Sequence, residues 1–70
     1  MNRTSVASVM MASVGYDPAG AILEVEFRNG SVYEYLNVPP HHYDVLLAAD
    51  SKGKFFNACV RGVFPFRRVI

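Results

Sequence analysis

The residues with the clearest chemical potential lie in the last twenty positions, where basic and aromatic side chains alternate. Residues 51–70 contain five Lys and Arg and no acid, whereas residues 1–50 contain six acids and two Arg. Basic groups attract phosphates and release counterions, and aromatic rings stack on bases. The segment therefore has two interpretations: a surface that binds nucleic acid, which we favour, or a solvated charged rim around core phenylalanines. Its basic residues are Lys52, Lys54, Arg61, Arg67 and Arg68, and its phenylalanines are Phe55, Phe56, Phe64 and Phe66.

No set of residues in the chain has the types and spacing that indicate catalysis or metal binding. His41 and His42 begin a predicted helix, and no nucleophile or carboxylate is placed to act with them. Cys59 is the only cysteine, so an internal disulfide is excluded and zinc-ligand spacing is absent. We predict that the two histidines are exposed and that Cys59 is a small buried residue. We expect neither an enzymatic activity nor a cofactor.

Tyr33 and Tyr35 stand two residues apart, and this pair has two interpretations. The rings are core residues with their hydroxyls at the rim, or they form a platform on which bases stack. If the neighbouring glutamates share the face of the two rings, they would repel phosphates. If the glutamates lie on the opposite face, the helices are expected to cover the rings. We therefore favour the core interpretation.

The first half of the chain predicts a three-stranded antiparallel meander. Apolar and polar residues alternate with period two, and Pro, Asn, Asp and Gly mark the turns between the alternating runs. We place the strands at residues 9–16, 22–27 and 31–36, with turns at residues 17–20 and 28–30.

The second turn allows two registers of the hairpin. A two-residue turn pairs Phe27 with Val32 and puts both tyrosines beside the glutamates. A three-residue loop with Gly30 in a left-handed bulge pairs Phe27 with Ser31 and separates an apolar face from an acidic face. We favour the second register because burial selects the apolar face, although it places two glutamates opposite each other.

The second half predicts two short helices and an extended tail. The double proline before the histidines suits a first helical turn, and Ser51 is suited to cap a second helix that Gly62 ends. The start of that second helix offers backbone donors to a phosphate. Residues 63–70 are predicted to be extended because Pro65 excludes a helix interior. Their apolar side chains need cover, which a partner subunit could supply.

Three segments of the sequence together resemble a known family. VGYD, LEVEFRNGSVYEYLNVP and AADSKGKFFN are similar to the KTSC domain over about residues 9–66. That domain is found at the C-terminus of some lysyl-tRNA synthetases and as single-domain bacterial proteins. The resemblance implies no enzymatic activity, and it implies a role in RNA binding only through the association with the synthetase. The matching signature positions are Gly30, Tyr33, Tyr35, Pro39, Ser51, Gly53, Phe56 and Asn57.

Taken together, residues 1–70 are predicted to form one α+β domain: a three-stranded antiparallel β-meander followed by two short helices and an extended C-terminal tail. Small size without a disulfide or metal predicts a homodimer, with a lone monomer as the alternative because many domains of similar size fold alone. The single cysteine and the lack of a signal peptide or spanning run predict a cytoplasmic protein. The leading function is non-enzymatic binding of RNA or DNA, with the choice between them open and no small-molecule substrate indicated. The alternative is a protein-interaction module that docks through its apolar tail.

Overall fold

The computed structural model describes residues 2–70, which form one five-stranded antiparallel sheet and two helices. The strands are β1 Thr4–Ser5, β2 Met11–Asp17, β3 Ile22–Phe27, β4 Val32–Tyr35 and β5 Phe66–Arg68, and they lie in the sheet in chain order. The helices are α1 Pro40–Ala48 and α2 Lys52–Cys59, both between β4 and β5. The α+β class is therefore confirmed.

The predicted meander is present as β2, β3 and β4, but the predicted number of three strands was wrong, because the sheet has five. The tail is a fifth strand rather than an unpaired extension, because Phe66 pairs with Tyr35 and covers the free edge of β4. A short strand, β1, pairs with β2 at the other edge. The strand predicted from residue 9 begins at Met11, since the Ser8 hydroxyl accepts the backbone N–H of Met11 and forms a turn there.

The hairpin adopts the second of the two registers. Gly30 has a φ of +90°, and the N–H of Phe27 donates to the carbonyl of Ser31 over 2.9 Å. Tyr33 consequently lies opposite Val25, and one face of the sheet carries Leu23, Val25, Phe27, Tyr33 and Tyr35. The preference for an apolar and an acidic face is confirmed.

Both helices pack on the apolar face and complete the core. Leu23 and Val25 of the sheet, Leu46 of α1 and Phe56 of α2 are all fully buried. The predicted cap of α2 is confirmed, because the hydroxyl of Ser51 accepts the backbone N–H of Lys54.

Two side chains differ in exposure from the sequence-based expectation. His41 is exposed as predicted, but His42 is half-buried, with its ring 5.2 Å from that of Phe64 and 6.3 Å from that of Phe55. The reason is tertiary, since α2 and the segment before β5 pack against the first turn of α1. Cys59 is half-buried rather than buried.

The outer face of the sheet carries an ordered row of charges. Glu24 lies directly opposite Glu34, the like-charge pair that this register requires. Each glutamate has an arginine beside it from an outer segment. Arg3 contacts Glu24 at 3.1 Å, and Arg67 contacts Glu34 at 2.7 Å. Opposite charges on both sides offset the repulsion at the centre of the row.

Gly15 makes room for one of these ion pairs. It lies opposite Glu24, between that glutamate and the chain segment that carries Arg3. A Cβ atom at Gly15 would stand 2.6 Å from the carbonyl oxygen of Asn2 and 3.1 Å from Cγ of Arg3. The missing side chain therefore allows the N-terminal segment to lie close enough to β2 for Arg3 to reach Glu24.

We predict that Gly15→Ala lowers the free energy of unfolding by about 1–3 kcal/mol, as overpacking does elsewhere. The added methyl group must displace the backbone of Asn2, so β1 should detach and the contact between Arg3 and Glu24 should be lost. Urea unfolding followed by circular dichroism measures the first effect. Faster hydrogen exchange in residues 4–6 measures the second.

A second Gly-to-Ala substitution serves as the matched control. At Gly53, inside α2, a Cβ atom would meet only Sδ of Met10, at an ordinary 3.8 Å. Gly53→Ala should therefore raise the free energy of unfolding by up to about 1 kcal/mol, because alanine favours the helix and restricts the unfolded chain. Equal losses of stability in both variants would contradict the steric argument.

Candidate functional site

An open groove lies on the helix-bearing side of the sheet, beyond the end of α2. Its volume is about 530 Å³. Helix α2 ends at Cys59, earlier than the predicted stop at Gly62, so it does not cover this part of the sheet. Four rings line the groove, those of Phe27, Tyr33, Tyr35 and Phe66, together with Met10, Arg28, Asn29, Ser31, Arg61 and Gly62.

The rings form a continuous row across β3, β4 and β5. Tyr33 and Tyr35 have centroids 6.5 Å apart, and Phe66 lies 5.6 Å from each of them. Tyr35 is only 4% exposed, which confirms the core interpretation for that ring, whereas Phe66 is 59% exposed. Tyr33 is half-buried. Tyr33 and Phe66 thus present ring surface to the groove.

Guanidinium groups accompany the aromatic row. Cζ of Arg61 lies 5.5 Å from the ring centroid of Phe56, and Cζ of Arg68 lies 6.0 Å from that of Tyr33, both within reach of a cation–π interaction. Arg28 lines the groove from the hairpin side and donates to the carbonyl of Ser8. Positive charge is therefore available at both ends of the groove.

The five basic residues predicted from the sequence do not form one cluster. Lys52 donates from Nζ to the carbonyl of Ala49, and Lys54 is exposed, both at the start of α2. That start lies the length of the helix, about 12 Å, from the end near Arg61. Arg67 faces the outer side of the sheet, where its guanidinium contacts Glu34, unlike Arg68.

The signature positions have mainly structural roles in the described chain. Phe56 is fully buried and meets the rings of Phe27 and Tyr35 edge-on, at 5.6 and 5.2 Å, so it supports the groove from below. Pro39 caps α1 in an extended conformation. Asn57 is exposed and is not part of the groove lining.

Sequence reasoning missed the contribution of the hairpin loop. Arg28, Asn29 and Ser31 line one end of the groove, although the sequence explains them fully as turn residues. Within the loop, Oδ1 of Asn29 accepts from the backbone N–H of Ser31 at 3.0 Å and from its hydroxyl at 2.6 Å. The hairpin register favoured from the sequence was the signal that could have revealed this contribution, because it places Phe27 and Tyr33 on one face directly beside the loop.

The glutamates of the sheet stand away from the groove. Glu24, Glu26 and Glu34 belong to the outer face, and the hydroxyl of Ser13 donates to Oε1 of Glu26 at 2.8 Å. A second cavity opens on that side and is lined in part by Asp17, Glu24 and Glu34, so it does not suit a phosphate. The repulsion that counted against a stacking platform therefore acts on the opposite face.

Two features are absent from residues 2–70. No group of three or more His, Cys, Asp and Glu side chains is placed to hold a metal ion. Neither helix in this range is long and apolar enough to cross a membrane.

Comparison with known proteins shows which family the chain belongs to. The family model of the KTSC domain matches residues 7–64, and the chain belongs to that family. It is 38% identical to a KTSC domain protein of Yersinia pestis whose crystal structure superposes with a TM-score of 0.96, covering 99% of this chain and 97% of that one.

Similar sequences occur in proteins of very different length. An uncharacterized protein of Stutzerimonas stutzeri is 49% identical over 57 residues, which cover 81% of this chain and 80% of that protein. A lysine–tRNA ligase of Nostoc punctiforme is 43% identical over 54 residues, which are 77% of this chain but 10% of the ligase. The domain thus occurs both in small proteins and within a much longer enzyme.

We predict that Tyr35 titrates above the usual tyrosine value of 10.0. Burial raises the pKa of its phenol, the nearby Arg61 guanidinium opposes the rise, and Tyr33 adds to it. Because the folded pKa is raised, the associated stability is fully present below the unfolded pKa and is lost as the pH rises through the folded pKa. Arg61→Leu should raise the pKa further, measured by the pH dependence of the tyrosine NMR signals. A Tyr35 signal that titrates at or below 10.0 would contradict this.

Proposed function

We propose that this protein is a non-enzymatic nucleic-acid-binding domain whose binding surface is the aromatic groove together with Arg61 and Arg68. One observation carries the proposal. Tyr33 and Phe66 expose ring surface beside guanidinium groups, while the glutamates of β3 and β4 face the other way. Rings supply a stacking surface for bases, and arginines attract phosphates.

The relatives favour RNA over DNA as the nucleic acid. A segment 43% identical to this chain is part of a lysine–tRNA ligase, an enzyme whose name makes tRNA its substrate. A domain joined to such an enzyme is well placed to contact RNA. This support is an association and adds to the physical argument from the groove.

The lysines at the start of α2 extend the positive surface. Lys54 is exposed, and Lys52 is half-buried with its ammonium group at the end of α1. Long-range attraction from these charges falls with ionic strength. Binding should therefore weaken as salt is added, and the two lysines should affect affinity for all sequences alike.

Two neighbouring arginines provide the test of this surface. Arg68→Gln should weaken binding of a labelled single-stranded RNA several-fold and reduce its salt dependence, because Arg68 lies beside Tyr33 in the groove region. Arg67→Gln removes the same charge from the outer face and should leave binding nearly unchanged. Fluorescence anisotropy at low and moderate salt, with RNA, single-stranded DNA and duplex DNA, measures both variants.

Equal weakening by both substitutions would show that bulk charge binds the ligand and that the groove does not. Loss of the contact between Arg67 and Glu34 costs at most about 1 kcal/mol, since the pair is at the surface, and thermal melting checks this. Absence of binding to every nucleic acid at low salt would leave the alternative, a protein-interaction module. In that case Phe64 and Phe66, rather than the arginines, should control binding of the partner protein.

We also propose that the protein is a homodimer. Val63, Val69 and Ile70 do not line the groove and are each about half or more exposed, although the tail pairs with β4. A second copy could cover these side chains, and apolar cover is what a small core lacks. Sedimentation equilibrium should give twice the 7.8 kDa mass of the chain. A single 7.8 kDa species at every concentration tested would contradict the proposal.

A further inference from the structure

We propose that the groove takes one unpaired nucleotide, with its base on the rings of Tyr33 and Phe66 and its phosphate at Arg61. The inference rests on the proposed function and narrows its ligand from nucleic acid in general to single-stranded RNA or DNA. Three features of the groove carry it: its size, the orientation of its rings and the donors at its two ends.

The size of the groove matches one nucleotide rather than a helix. Its volume of about 530 Å³ lies within the range of roughly 300–1,000 Å³ that is typical of small-ligand sites. A duplex is too wide to enter a cavity of this volume. The groove is open to solvent, so the rest of a strand can leave it.

The orientation of the rings requires a base whose face is free. Tyr33 and Phe66 are tilted by 43° with centroids 5.6 Å apart, which makes a shallow aromatic surface rather than a narrow slot. Bases inside a duplex have both faces covered by their neighbours. A base inside a duplex cannot lay its face on these rings, whereas an unpaired base can, as bases do on the aromatic residues of other single-strand-binding proteins.

The two ends of the groove offer different polar groups. Arg61 is exposed where α2 has ended, and its guanidinium suits a phosphate. At the other end, Oδ1 of Asn29 accepts from Ser31, which leaves the Nδ2 amide N–H groups of Asn29 to donate to a base edge. Arg28 is held in place by bonds to the carbonyls of Ser8 and Val6. The hairpin end is therefore largely preorganised, which lowers the entropy cost of binding.

The natural tyrosine fluorescence of the protein provides the readout. The chain has four tyrosines and no tryptophan, so emission reports on the tyrosines alone. Adenosine 5′-monophosphate and short oligoadenylate RNA should quench this emission when the base stacks on Tyr33. A blunt RNA duplex should bind roughly tenfold more weakly than the single strand, because each stacked base contributes appreciably to affinity.

Substitutions at Tyr33 separate stacking from the hydroxyl group. Tyr33→Phe keeps the ring and should keep the affinity for the single strand, whereas Tyr33→Leu should weaken it roughly fivefold or more. Tyr43→Leu is the matched control, since Tyr43 stacks on Tyr16 at 5.5 Å and does not line the groove. Its affinity should equal that of the unaltered protein.

A folding defect in Tyr33→Leu would not prevent the test. Phe66 is 59% exposed, so Phe66→Leu should fold normally and should weaken single-strand binding for the same reason. One combination of results would overturn this inference and leave the proposed function standing. In it, duplex and single strand bind with equal affinity, Phe66→Leu has no effect, and Arg68→Gln weakens binding. No binding of any nucleic acid by the unaltered protein would overturn both.

Discussion

The left-handed conformation of Gly30 fixes the register of the β3–β4 hairpin, and the other features of the molecule depend on that register. With Phe27 bonded to Ser31, the aromatic side chains of both strands face the helices together with Leu23 and Val25, and the glutamates face outward. A slip of one residue would turn Tyr33 and Tyr35 to the outer face, put the carboxylate of Glu34 under the helices, and remove the apolar surface that β4 offers them. A side chain at this φ costs about 1 kcal/mol or more, so the position strongly favours glycine.

The same register creates a repulsion that the edges of the sheet relieve. Glu24 and Glu34 are brought face to face in the middle of the outer surface, and Arg3 and Arg67 approach them from the two ends of the chain. Ion pairs at a surface contribute little individually. The edge strands therefore rely on their backbone ladders, and they should be the first parts of the sheet to open in local unfolding.

Local patterns were sufficient to predict the central strands, both helices, the cap at Ser51 and the favoured hairpin register. They were not sufficient to predict the groove, because it depends on pairing between segments far apart in the chain. Phe66 reaches Tyr33 only because the tail joins the sheet, and no turn or periodicity in residues 63–70 specifies that partner. The burial of His42 has the same origin, since Phe55 and Phe64 come from later segments.

The sequence predicted that Arg61, Arg67 and Arg68 all belong to the binding surface, but only two of them lie near the groove. Arg67 and Arg68 are adjacent, but side chains alternate along a strand, so one neutralises Glu34 and the other lies beside Tyr33. Part of the contrast between the acidic and basic halves is therefore used within the molecule. Two phosphate contacts, from Arg61 and Arg68, correspond to a log–log salt slope of only about −1.4 on a single strand. Electrostatics of that size gives weak binding, so a nucleic acid held in this groove must derive most of its affinity from the rings.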